Sequence, residues 1–261
     1  MRPMPNAASE LVRVVRTTWR RAARVTFACL SALGLAPAVA QIPEQTQELL
    51  VVIAPDWSDL HGTAQRLVRR DHSFRVVGPP FPVVLGHNGM GWGRGLPLSE
   101  PRPGPIKHEG DGKSPAGLFA LGTAFGYAPS AETTLPYRWL SPEIRCPDDA
   151  SSSHYNQLVD DRQVTKDWNS AETMRRDDEL YNLGVVVNHN TPASPGAGSC
   201  IFLHVWEGPD SGTVGCTAMA SDDLRRLLRW LDPTARPLLL QLPKSEYRHY
   251  RARWKLPRLG I

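Results

Sequence analysis

Residues 200–231 decide how this chain is read. They run Cys200-Ile201-Phe202-Leu203-His204-Val205, then Trp206-Glu207-Gly208-Pro209-Asp210-Ser211-Gly212-Thr213-Val214-Gly215, then Cys216-Thr217-Ala218-Met219-Ala220-Ser221-Asp222-Asp223-Leu224-Arg225-Arg226-Leu227-Leu228-Arg229-Trp230-Leu231. The first run is apolar and rich in residues suited to a pleated surface, so it reads as a buried strand that carries a histidine at its end. Glycine and proline punctuate the second as loop. In the third, Ser221 predicts an N-cap, Asp222 and Asp223 suit a helix's positive end, and Leu224, Leu227, Leu228 and Leu231 fall on one face. Asp232-Pro233 stops that helix. A strand-end histidine and a cysteine just before a helix thus flank one short loop.

Working outward, the same reading gives further short strands. Leu49-Leu50-Val51-Val52-Ile53, Phe81-Pro82-Val83-Val84-Leu85-Gly86, Leu118-Phe119-Ala120-Leu121-Gly122, Leu183-Gly184-Val185-Val186-Val187 and Pro237-Leu238-Leu239-Leu240-Gln241-Leu242 are all apolar runs closed by turn residues. Residues 62–70 predict a short helix, with strand returning around 74–77. Residues 86–117 are so dense in glycine and proline that they read as one functional loop. Many strands and few helices make the fold class mainly β with a few helices. The organisation expected is a polar leader over 41–48, one domain over 49–243, and a basic C-terminal tail over 244–261.

Charge is segregated. Of 30 Lys+Arg and 26 Asp+Glu, residues 1–40 hold Arg2, Arg13, Arg16, Arg20, Arg21 and Arg24 but one acid, Glu10, so residues 41–261 carry a net charge of −1. A nearly neutral body has no net field for a polyanion, and nucleic acid is excluded as a partner. The basic stretch leads into the apolar run of residues 25–35 and the small-x-small site Ala38-Val39-Ala40. That predicts a signal peptide over 1–40, export, and no transmembrane span after cleavage, because the run is too short for a bilayer. Removal leaves Cys146, Cys200 and Cys216, an odd number in an oxidising compartment.

The chemistry lies at Cys216 and His204. A neutral imidazole takes a thiol proton or pairs with the thiolate, lowering the thiol pKa from about 8.5. Gly215 permits close approach of a carbonyl, and the backbone N–H groups of Val214, Gly215 and Cys216 are the expected oxyanion hole. On spacing alone, a disulfide or packing cysteine beside a core histidine is the default reading.

Thr213-Val214-Gly215-Cys216 resembles the Ser/Thr-x-Gly-Cys centre of the L,D-transpeptidase (YkuD-type) family. Gly110-Asp111-Gly112-Lys113-Ser114-Pro115-Ala116-Gly117-Leu118-Phe119 resembles that family's Gly-Asp-x-Lys-Thr/Ser-Pro-x-Gly-x-Phe/Tyr segment, in the expected order. The resemblance covers about residues 80–243. It implies a single mixed β-sheet domain with the cysteine just before a helix, and an enzyme of the periplasm or cell envelope acting on peptidoglycan stem peptides. It also implies Cys216 as nucleophile, His204 as base, and Thr213 and Ser114 as motif residues that position substrate. The chain departs from the commonest pattern at Val214, where that family has histidine, and at Ala218, where it has Arg or Asn. Residues 205–215 also form a shorter stretch. A Gly-Cys-x-Ala-Met variant occurs in a branch with hydrolytic members, so hydrolysis is the alternative to transfer, and a non-catalytic wall-binding domain is the second alternative.

With Cys216 as the implied nucleophile, Cys146 and Cys200 are the disulfide candidate; a Cys200–Cys216 bridge is the alternative and would inactivate. His189, in Asn188-His189-Asn190 at another strand end, is a candidate for supporting the site or facing substrate, with a plain loop histidine as the default. Trp92, Trp168 and Trp206 are candidates for lining a groove. Asp160-Asp161 and Asp177-Asp178-Glu179 read as solvated faces. No His-Glu-x-x-His or paired Cys-x-x-Cys occurs, so neither a metal nor a cofactor is predicted.

Overall fold

The computed structural model describes residues 42–98 and 103–260. The signal-peptide reading of 1–40 lies outside them. The elements are β1 (Glu48–Ala54), β2 (His61–Arg70), β3 (Ser73–Val84), β4 (Met90–Trp92), β5 (Ser114–Gly126), β6 (Tyr137–Trp139), β7 (Ile144–Pro147), β8 (Val159–Asp160), β9 (Ala171–Thr173), β10 (Leu183–Val187), β11 (Phe202–Val205), β12 (Thr217–Met219), α1 (Ser221–Trp230), β13 (Leu238–Pro243) and α2 (Lys244–Arg253). Among the described residues the protein is mainly β with two α-helices, and its main sheet is mixed. No helix among the described residues is long and apolar enough to cross a membrane.

The main sheet runs β10-β11-β12-β3-β2-β1-β13-β5, and β10 also pairs with β5, so the path closes into a ring with β4 and β6 attached along β5. β1 lies parallel to β13 and β11 parallel to β12, while β2 pairs antiparallel with both β1 and β3. A second sheet of three short strands, β8-β7-β9, holds Cys146.

β1 explains why a continuous apolar run marks a strand here. Leu50, Val52 and Ala54 face the interior cluster with Leu224, Leu227, Leu228 and Leu231 from α1 and its end. Leu49, Val51 and Ile53 face the other way, onto Tyr247 and Tyr250 of α2. Leu49, Leu50, Val51 and Val52 are each 0% exposed, which stabilises by roughly 2 kcal/mol per side chain.

Several expectations are corrected. Residues 62–70 form β2 and not a helix, because β1 pairs with them from Thr63 to Val68 and β3 flanks them on the other side. β2 turns into β3 through Asp71 and His72, both with positive φ, the conformation of a tight hairpin. The register shifts between Ala64 and Arg66, where the Gln65 amide donates to the carbonyls of Val77 and Gly78. Gly78, Pro79, Pro80 and Pro82 follow in β3, so the bulge accommodates prolines, which have no N–H to donate to a ladder. The 86–117 loop includes β4 and the start of β5. Ala220, and not Ser221, is the N-cap of α1, with no side-chain cap.

Both flanking segments belong to the fold. Ile42 is buried, and the Arg69 guanidinium donates to the carbonyls of Pro43 and Thr46, so residues 42–48 are no detached leader. Residues 244–253 are α2, whose inner face buries Tyr247 and Tyr250 against β1 and β13, and Trp254 and Leu256 continue the seal.

Candidate active site

β11 and β12 bring the two chemical residues together. Their register sets His204 opposite Ala218 and Leu203 opposite Thr217. Side chains alternate along a strand, so His204 and Phe202 share a face, and Cys216, just before β12, joins it. Phe202 N–H donates to Cys216 Sγ at 3.3 Å, and the thiol approaches the Cys200 carbonyl at 3.5 Å. His204 and Cys216 line one groove of about 180 Å³ with Glu172, Arg176, Tyr181 and Trp206. Tyr181 packs edge-on against the His204 ring at 5.1 Å between centroids.

His204 Nδ1 lies 2.7 Å from the Val205 carbonyl. A carbonyl only accepts, so Nδ1 carries the proton of the neutral ring and Nε2 keeps its lone pair. Burial holds the imidazole pKa down to about 4, helped by the Arg176 charge and opposed by hydrogen bonds to the backbone of Val205 and Leu180. Cys216 is the free cysteine among the described residues, and burial pushes its thiol up to about 12 despite the Phe202 N–H donor. The resting pair is therefore neutral imidazole and thiol, not the ion pair with a lowered thiol that the residue types suggest. No hydrogen bond joins His204 to Cys216 among the described residues, whose sulfur is turned to Phe202 and Cys200.

The two sequence motifs meet at one atom. Ser114 Oγ, at the start of β5, donates to the Cys216 carbonyl at 2.7 Å across 102 residues and accepts from Gly86 N–H at 2.8 Å. Thr213 Oγ1 donates to the same carbonyl at 2.6 Å and accepts from Gly215 N–H at 3.1 Å. Both hydroxyls thus clamp the nucleophile loop. Ser114 is 0% exposed and does not reach substrate, and Thr213 alone of the two lines the groove. The oxyanion hole is also corrected: Gly215 N–H is committed to Thr213. The Val214 and Cys216 N–H groups carry no hydrogen bond among the described residues. Val214 itself is exposed at the groove mouth.

Other candidates fall away from the groove. His189 is buried behind it, accepting from Arg94 N–H at Nδ1, donating to the Ala197 carbonyl at Nε2, and packing edge-on against Phe119. It is a packing histidine, held down to about 4 by burial and by the nearby Lys107 and Arg94 charges. Trp92 packs on Trp57 and Trp168 on His154, leaving Trp206 as the groove tryptophan. Asp160 and Asp161 pair with Arg162 and Arg145, and Asp178 holds Arg176.

Cys146 and Cys200 form a disulfide, which leaves Cys216 free. No family model, curated protein or solved structure matches this chain.

Sequence reasoning missed four groove or loop residues. Glu172 on β9 and Arg176 just after it line the groove with Cys216, Tyr181 covers His204, and Lys107 is buried behind Gly215. None stands in a spaced pattern, so only the fold gathers them.

Two buried histidines with depressed pKa values give a pH dependence of stability. Between the unfolded value near 6.5 and the folded value near 4, the unfolded chain takes up protons that the folded one refuses, so stability is lost as pH falls through that window. The melting temperature is expected to drop steadily from pH 7 to pH 4.5, before the hydrogen-bonded carboxylates of Asp111 and Asp178 titrate at lower pH. The raised carboxyls of Glu48 and Glu172 act in the opposite sense as pH falls, so each ring is also followed by its own NMR titration, and a midpoint near 6.5 at both rings contradicts their buried neutral state.

Proposed function

We propose that the protein is a peptidoglycan-modifying cysteine enzyme of the cell envelope, an L,D-transpeptidase acting through a Cys216 thioester on stem peptides. One observation carries the reading: a free cysteine and a histidine whose Nδ1 is committed to a backbone carbonyl line one groove, clamped by residues from both sequence motifs. The thiol turns from Phe202 and Cys200 toward the groove and gives its proton to His204 Nε2. The thiolate attacks the carbonyl carbon of the donor L,D peptide bond, and the oxyanion is held by the Val214 and Cys216 N–H groups. His204 returns the proton to the departing D-amino acid amine, leaving the thioester. The amine of a second stem then attacks it, losing its proton through His204, and the thiol is released.

The second reading lets water resolve the thioester, giving an L,D-carboxypeptidase or amidase. It is favoured by Ala218, a small apolar side chain directly across from His204 where the resembled family carries Arg or Asn. The test is digestion of purified sacculi with mass analysis of the products. Transfer gives new cross-linked dimers and hydrolysis gives shortened stems. Unchanged sacculi reject both enzymatic readings and leave a wall-binding domain.

A further inference from the structure

We propose that Lys107 acts from behind the nucleophile loop as an electrostatic positioning residue, favouring the Cys216 thiolate and the oxyanion formed beside it. The proposal rests on Cys216 being the nucleophile.

Lys107 is unusual for its charge. Its side chain is 3% exposed, and lysine is almost never fully buried without a partner. The ammonium donates to Asp111 Oδ1 at 2.5 Å and to the His108 carbonyl at 2.7 Å. An ammonium has three N–H groups, and the third has no acceptor among the described residues. Its surroundings show where it lies. A Cβ placed on Gly215 would sit 3.6 Å from Lys107 Nζ, and one placed on Gly198 would sit 3.1 Å from Lys107 Cε. The ammonium therefore rests against the residue preceding Cys216. It is not part of the groove lining, so it reaches the reaction through the loop and not by touching substrate.

Its partner does not cancel this placement. Asp111 Oδ1 also accepts from Lys113 N–H at 2.9 Å, and Oδ2 accepts from His108 N–H at 2.7 Å, so the carboxylate is spent on the loop over residues 107–113. Burial works against ionisation of Asp111, but these donors outweigh it and hold the acid below its usual range. The pair is a dipole whose positive end faces Gly215 and Cys216. The other charged or titratable groups lining the groove with the thiol are Glu172 on β9, Arg176 beyond β9, Tyr181 before β10, His204 on β11 and Glu207 after it. Arg176 is tied to Asp178, and Glu172 opposes the thiolate. In a buried setting with little screening, Lys107 acts on the thiol in the sense opposite to Glu172.

The experiment measures the pH dependence of Cys216 alkylation by iodoacetamide, read on the Cys216 peptide by mass, with melting curves for every variant. It needs no peptidoglycan substrate. Lys107→Met is expected to raise the alkylation midpoint by about one pH unit and slow reaction near neutrality about tenfold. Lys107→Arg is expected to stay near wild type. Asp111→Asn, which keeps the shape and removes the neutralising charge, is expected to move the midpoint down. Opposite shifts mark electrostatics, because loss of loop structure would move both variants the same way. Should Lys107→Met fail to fold, Asp111→Asn alone decides by its sign. Unchanged midpoints, or two upward shifts, overturn the role given to Lys107 while leaving the nucleophile standing. A wild-type Cys216 that resists alkylation at every pH removes the nucleophile itself.

Discussion

Cys216→Ala yields a folded protein with no turnover on sacculi and no mass adduct on the peptide covering residue 216. The thiol is the atom that would form the covalent intermediate, and no other described cysteine is free. Stability changes modestly, though not negligibly. Cys216 is packed among Phe125, Met174, Tyr181 and Phe202, so its loss leaves a small void and deprives Phe202 N–H of its sulfur acceptor. About 1 kcal/mol is the expected cost. Cys216→Ser fills the space and keeps an acceptor for Phe202, yet it stays nearly inactive, since a hydroxyl holds its proton far more tightly than a thiol. His204→Ala keeps a residue of activity, because a thiol ionises slightly without its base. Full activity in a well-folded Cys216→Ala protein ends the thioester mechanism, and with it both enzymatic readings.

How much of this was legible before the fold is clear at particular residues. The strands of β1, β11 and β13 announce themselves because both faces are buried, so their runs are nearly all apolar. β2 does not, because Ala64, Gln65, Arg66 and Leu67 are good helix formers and only the pairing with β1 and β3 holds them extended. The hairpin at Asp71 and His72 carries no glycine, so its positive φ values leave a weak sequence signal. At the site, residue types name a nucleophile and a base, and the motifs name the loop that bears them. They do not tell which N–H groups are already occupied or which way the sulfur points. Thr213 takes the Gly215 donor that a motif reading assigns to the oxyanion. Ser114 supports the Cys216 carbonyl where the same reading has it meeting substrate. Burial is likewise a property of the assembled fold, and it reverses the expected direction of the thiol shift.

Removing the disulfide has the largest expected effect on stability and reaches the site as well. Cys146 and Cys200 are separated by 54 residues, and closing a loop of that length disfavours the unfolded chain by about 4 kcal/mol on the chain-entropy model. In a chain of this size that corresponds to a fall of roughly 10 °C in melting temperature. The double variant Cys146→Ala/Cys200→Ala isolates this effect, since it leaves Cys216 as the sole described thiol, and denaturation curves of both proteins measure it. Equal midpoints would mean that the bridge constrains nothing. The single variant Cys146→Ala separates stability from chemistry. It frees Cys200, whose own carbonyl lies 3.5 Å from Cys216 Sγ in the same buried cluster. Under air it is expected to form the Cys200–Cys216 bridge, losing alkylation at Cys216 and regaining it with reductant. The double variant has no such partner, so it stays reactive with and without reductant. Non-reducing peptide mapping of the wild type should give the Cys146 and Cys200 peptides joined. A Cys200–Cys216 link in active wild-type protein contradicts the arrangement, because it leaves no thiol to attack.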